Sequence, residues 1–212
     1  MKLQSISTQT LHRIPLYLNY LRSLPEGGSE NISATAIAEA LGLNDVQVRK
    51  DLAQVSSGGR PKIGYVTKRL IADIEEFMGY NDTRSAIVAG AGNLGRALFS
   101  YGGFSEYGLE LVAAFDVDAS LIGTRIAGKP VLSFDRMRDL CQRMKSRIGI
   151  ITVPADAAQQ VCDQMVESGI LAIWNFAPVH LNVPEGVLVR YENIACSLAV
   201  LAKRLNDKLI EN

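Results

Sequence analysis

The chain has 212 residues, more than one average domain and enough for two small ones, and 48% of them are hydrophobic, so a substantial core is available. Its 22 basic and 22 acidic residues cancel, so no global charge excess advertises a polyanionic partner. Three widely spaced cysteines (Cys141, Cys162, Cys196) define no disulfide framework, and no apolar run approaches a signal h-region or the ~20 residues of a membrane span. These features predict a soluble cytoplasmic protein with buried thiols.

The first predicted helix spans Thr10 to Leu24, with Leu11, Ile14, Leu18 and Leu21 at helical spacing. Pro15 either begins it or disturbs it. The run P-E-G-G-S-E-N ends it. Ser33 is then placed to cap a helix A-T-A-I-A-E-A-L that stops at Gly42, and Asn44 or Asp45 to cap V-Q-V-R-K-D-L-A-Q-V. Two short helices so tightly joined read as a helix-turn-helix. Val46, Leu52 and Val55 are expected to face inward, leaving Gln47, Arg49, Lys50 and Gln54 for other faces, the first three as candidates to contact a nucleic acid. Gly58 and Gly59 permit a hairpin tip carrying Arg60, Pro61 and Lys62, which is what a winged helix needs. Between Leu43 and Leu70 stand Arg49, Lys50, Arg60, Lys62, Lys68 and Arg69 against only Asp45 and Asp51. Such a local excess suits the neutralisation of phosphates, although a solvated face on a small helical domain would look the same. A fourth helix, Val66 to Met78, precedes the polar hinge G-Y-N-D-T-R, which places a domain boundary near Asn81.

The segment S-A-I-V-A-G-A-G-N-L-G, from Ser85 to Gly95, reads as strand, glycine turn and helix start. Gly90, Gly92 and Gly95 match G-x-G-x-x-G: the first permits the tight turn, the second lets a pyrophosphate approach, and the third lets the helix pack closely. Ala91, Asn93 and Leu94 complete the loop at the helix N-terminus, where free N–H groups favour an anion. A second apolar run, Leu109 to Phe115, ends at Asp116, whose carboxylate suits a ribose diol and repels a 2′-phosphate. This favours NAD(H) over NADP(H), with a purely structural glycine turn as the alternative.

Strand and helix then alternate, as a parallel α/β sheet requires. A short strand is expected within Ile126 to Leu132, helices over Phe134 to Lys145 and Ala155 to Ser168, and strands over Ile148 to Val153, Ile170 to Trp174 and Val187 to Tyr191. The strand ends Thr152, Val153, Pro154 and Asn175, Phe176, Ala177 are candidates to line a ligand site. Asn175 either holds a carboxamide or caps the turn before Pro178. His12 and His180 lack companions that would make a metal site. Ile194, Leu198, Leu201, Leu205 and Leu209 form one stripe on a last helix, whose apolar face needs its own sheet, the first domain or a partner subunit.

Three segments together resemble the redox-sensing transcriptional repressor family Rex: V-Q-V-R-K-D-L-A with G-G-R-P-K-I-G-Y-V, then V-A-G-A-G-N-L-G-R-A-L, and finally I-T-V-P with N-F-A-P-V-H. The resemblance implies an α/β protein with a winged helix-turn-helix domain (1–80), a Rossmann-type doubly wound parallel sheet binding NAD(H) (81–191) and a C-terminal helix exchanged in a homodimer (192–212). It further implies a palindromic double-stranded operator and a response to the NADH/NAD+ ratio, through a network of an arginine on the first helix, a tyrosine and an aspartate. Tyr101 matches the tyrosine. Asn19 and Ala195 stand where the arginine and the aspartate are expected, which predicts a weakened response unless Arg13 or Arg22 rebuilds the network. The rival classes are an NAD-dependent oxidoreductase, for which no catalytic His, Lys or Tyr-x-x-x-Lys set is present, and a CoA-binding module, in which the basic wing has no purpose.

Overall fold

In the computed structural model, which describes residues 6–25 and 30–210, Ser7 caps the first helix by accepting a hydrogen bond from the Thr10 backbone N–H at 3.1 Å. Helix α1 (Thr8–Ser23) runs through Pro15 instead of starting there. The proline is tolerated because its surroundings face solvent: Leu11 is 40% and Leu16 49% exposed. Leu11 therefore leaves the expected buried stripe, and Thr10, Ile14, Tyr17, Leu18 and Leu21 form it. The expected G-G break at residues 26–29 lies outside the described residues.

The chain divides into two units between Asp82 and Thr83. In the first, α1 is followed by β1 (Asn31–Ile32), α2 (Ala34–Leu41), α3 (Asp45–Val55), β2 (Tyr65–Val66) and α4 (Thr67–Met78). Their ends follow from local chemistry. Ser33 and Asn44 side chains accept from the N–H groups of Ala36 and Gln47, and Gly42 and Gly79 end α2 and α4 in the left-handed conformation. The short strands pair antiparallel, Ile32 opposite Tyr65, and frame the wing. The wing turn corrects one expectation. It is closed by the Arg60–Gly64 bridge, with positive φ at Lys62 and Gly64 and not at Gly58 or Gly59. Gly59 is needed for another reason: a Cβ there would lie 2.7 Å from the Tyr65 ring. The phase of α3 also differs. Val48, Asp51 and Leu52 are buried, whereas Val46 is 48% exposed.

The second unit carries the sheet order β5-β6-β4-β3-β7-β8-β9. Strands β3 (Arg84–Ala89), β4 (Leu109–Asp116), β6 (Lys129–Ser133), β7 (Ile148–Ile151), β8 (Ala172–Asn175) and β9 (Leu188–Tyr191) are parallel; β5 (Arg125–Ile126) pairs antiparallel to β6. The single strand expected near Ile126 is thus a hairpin, turned by Ala127 and Gly128 with φ of 47° and 80°, as a two-residue primed turn demands. Helices α5 (Asn93–Ser100), α6 (Met137–Met144) and α7 (Ala155–Glu167) cover the sheet. Along β3, Ile87 and Ala89 join one core with Phe115, Ile151 and Met165, while Ala86 and Val88 join another with Ala114, Val131 and Phe99. This two-sided burial is why these strands read as continuous apolar runs. The order reverses direction at β3 and β7, so a crevice opens at their carboxyl ends. Helix α8 (Ile194–Ile210) has no buried residue, and Ile194, Leu198, Leu201, Leu205 and Leu209 are each more than half exposed. No helix of the described residues is long and apolar enough to cross a membrane.

Candidate functional site

At the carboxyl end of β3 the three glycines have three different surroundings. Gly90 has φ 100°, and a Cβ there would meet Thr152 Oγ1 at 2.7 Å. Gly95 packs α5 against the turn so closely that a Cβ would lie 1.9 Å from the Gly90 carbonyl oxygen. Gly92, the N-cap of α5, has open space where its Cβ would be, so an anion can reach the backbone there. Asn93 is exposed beside it and Leu94 half-buried.

The loop is held from both sides. Thr152, following β7, donates through Oγ1 to the carbonyls of Ala89 at 2.9 Å and Gly90 at 3.1 Å. Asp116, the last residue of β4, accepts through Oδ2 from the Ala91 N–H at 2.6 Å and through Oδ1 from the Asp118 N–H at 3.0 Å. Each carboxylate oxygen keeps a further lone pair, so the group can still accept from a diol. Arg96 was not among the expected site residues; its Nε donates to the Ala91 carbonyl at 3.0 Å, which brings a guanidinium to the glycine turn. Pro154 caps α7, and Val153 packs against the core beneath it.

Asn175 is fully buried, and its amide serves the turn: Nδ2 donates to the Ala177 and Val179 carbonyls and Oδ1 accepts from the Ala177 N–H. Of the two uses open to it, the structure shows the structural one. It holds Phe176 against Trp174, ring centroids 4.5 Å apart, with Phe104 and Tyr101 continuing the aromatic row. Tyr101 is 60% exposed and its ring lies over Gly103. His180 stacks on Tyr191, and no metal-binding cluster exists among the described residues. Burial pushes the thiols of Cys141 and Cys162 up to about 11, which makes them poor nucleophiles, whereas Cys196 is exposed on α8.

In the first unit the basic residues differ in engagement. Arg49 pairs with Asp45 at 3.0 Å in an exposed pair on one helix, a weak and breakable contact. Lys50, Arg60, Pro61 and Lys62 are exposed. Gln47 donates through Nε2 to Asp51 Oδ1 at 2.9 Å. Asp51, which the sequence offers only as one of two acidic residues in a basic stretch, has a structural role. It is fully buried and also accepts from Arg13 Nε at 2.7 Å, Tyr17 Oη at 2.8 Å and Thr10 Oγ1 at 3.1 Å. Burial alone would raise its pKa, but the hydrogen bonds from Arg13, Tyr17 and Gln47 outweigh it and hold the carboxyl below the usual range. This cluster locks α3 to α1. An arginine and a tyrosine four residues apart on α1 were the available signal, since they share a helix face.

Residues 81–179 match the family described as CoA binding domain, and residues 5–53 match a DNA-binding protein N-terminus family. A redox-sensing transcriptional repressor Rex of Porphyromonas gingivalis is 42% identical over 198 residues, 93% of this chain and 91% of that protein. The chain belongs to the Rex family. Among solved Rex-family repressors, RSP in complex with β-NAD+ and operator DNA matches with a TM-score of 0.89 at 33% identity, covering 97% of this chain and 94% of that one. RSP in complex with β-NADH matches at 0.86 and 32% identity, covering 98% and 97%. The two arginines of α1, the helix that carries Asn19, are already engaged. Arg13 is bound to Asp51, and Arg22 pairs with Glu75 at 2.9 Å.

Proposed function

We propose that this chain is a transcriptional repressor acting in the cytoplasm as a homodimer, which binds a palindromic operator and takes up NAD(H), with DNA affinity only weakly coupled to the NADH/NAD+ ratio. The observation that carries the reading is that one chain holds both an unobstructed glycine turn bonded to Asp116 and a winged helix whose exposed Lys50, Arg60 and Lys62 have no carboxylate partner among the described residues, along nearly the whole length of Rex relatives. Gly90, Ala91, Gly92 and Asn93 cradle the pyrophosphate, Asp116 takes the adenosine ribose, and Arg96 balances phosphate charge. Thr152 to Pro154 and Phe176 line the nicotinamide side, with Asn175 as their frame. Gln47, Arg49 and Lys50 on α3, with Arg60, Pro61 and Lys62 on the wing, contact the duplex. The α8 stripe joins two copies.

The weak coupling rests on Asn19 and Ala195. Neither can make the charge-assisted bonds of the arginine and aspartate expected there, and the engagement of Arg13 and Arg22 supports the view that neither substitutes. Losing such a network removes roughly the 1–3 kcal/mol that usually couples two sites. Titration with NADH, NADP+ and CoA, with and without duplex selected from a random pool, tests the reading. NADH binding together with specific duplex binding is expected. Tight CoA binding without duplex binding would replace it with a CoA module.

A further inference from the structure

Beneath the wing lies a cleft of about 310 Å³, lined by Ser57, Gly58, Gly59, Arg60, Tyr65 and Arg69. It is roughly ten times the ~30 Å³ that a water molecule takes in the liquid, ample for a tetrahedral anion. Two guanidinium groups border it, one from the wing and one from the first turn of α4. Among the described residues neither Arg60 nor Arg69 has a carboxylate partner, whereas Arg13, Arg22 and Arg49 of the same unit are all paired. Arg69 is aimed at the wing base: its Nε lies 3.9 Å from where a Cβ on Gly58 would be. Asp73, one turn beyond Arg69 on α4, accepts from the Ser56 hydroxyl, which in turn accepts from the Gly58 N–H at 3.1 Å. Ser56 thus stands between that negative charge and the cleft. Two unpaired like charges facing one cavity repel each other until an anion with several acceptor oxygens sits between them.

We infer that the cleft beneath the wing binds one phosphate of the DNA backbone, clamped between Arg60 and Arg69. This rests on the DNA-binding reading above and adds to it a subsite that reaches α4, outside the helix-turn-helix and the wing tip. A phosphate contact carries no sequence information, so it anchors the wing without contributing to base choice.

The test uses the full-length protein and the duplex that it selects, with Arg69→Ala and Arg69→Lys variants. Arg69 is exposed and unpaired, so the fold should survive, which the thermal transition checks. The alanine variant should weaken binding about tenfold on selected and random duplex alike and flatten the salt slope by about one. The lysine variant should restore most of the slope. The amide resonances of Gly58 and Gly59 should shift on adding duplex. An alanine variant with parental affinity and slope overturns the site, as does a loss confined to the selected sequence. Shifts produced by inorganic phosphate but not by duplex would assign the cleft to a free anion and equally overturn it. A parent that binds no duplex at all would instead overturn the DNA-binding reading.

Discussion

Single residues carry the sharpest distinctions, because neighbouring glycines in one loop have opposite surroundings. Gly92 has open space and an ordinary φ of −72°, so Gly92→Val should abolish NAD(H) binding while costing at most the ~1 kcal/mol of a poorer cap. Gly95→Ala forces a Cβ into the Gly90 carbonyl and should destabilise the sheet unit by about 1–3 kcal/mol or more. Calorimetric binding beside thermal unfolding separates the two; a Gly92→Val protein that binds NADH normally would place the pyrophosphate elsewhere. Asp116→Ala should erode the preference for NADH over NADPH, and an unchanged ratio would move the ribose away from β4. The glycine spacing and Asp116 were legible because each residue type has a narrow use. Asn175 was not, because an asparagine amide serves a turn and a ligand equally well, and only the positions of the Ala177 and Val179 carbonyls decide between them.

Elements were legible where polar caps and glycines mark their ends. Ser33, Asn44 and Gly42 bound their helices as expected. The rotation of α3 was not, because counting apolar positions treats every aspartate as exposed, whereas Asp51 is buried by donors that lie 34 to 41 residues away on α1. That cluster makes the packing of α1 on α3 pH-dependent at both extremes. Asp51 is held below its ordinary range, so its contribution is present above the unfolded carboxyl pKa of about 3.9 and is lost as pH falls through the lowered folded value. Burial, and then the bond to Asp51, push Tyr17 up to about 12, so its contribution is full below an unfolded pKa of about 10 and disappears as pH rises toward 12. Hydrogen exchange at α1 and α3 amides should therefore quicken below pH 4 and above pH 10 while the sheet strands stay protected. Uniform protection across both ranges would remove Asp51 from the role of lock. For α8, removing residues 192–212 should leave the sheet folded, since none of the helix is buried, and should yield a monomer in sedimentation. A truncated chain that still sediments as a dimer would refute the role of the stripe.

At the scale of the molecule, the alternation of apolar runs and helices dictated a parallel sheet, and its reversal at β3 and β7 put the glycine turn, Asp116 and Thr152 at one crevice. The fold, and the crevice at which the glycine turn sits, were thus readable from pattern alone. What the pattern could not carry is the strength of communication between nucleotide and DNA, which depends on a few charged groups and on which cations are already engaged. Arg13 and Arg22 are engaged, and Asn19 and Ala195 bring no charge. The most direct measurement is affinity for the selected duplex at saturating NAD+ and at saturating NADH, at one fixed salt concentration. Specific binding in both states, differing by less than about tenfold, is the predicted result, since tenfold corresponds to ~1.4 kcal/mol of coupling. A difference of about a hundredfold or more, ~2.7 kcal/mol, would contradict it and return the chain to a strongly coupled redox sensor.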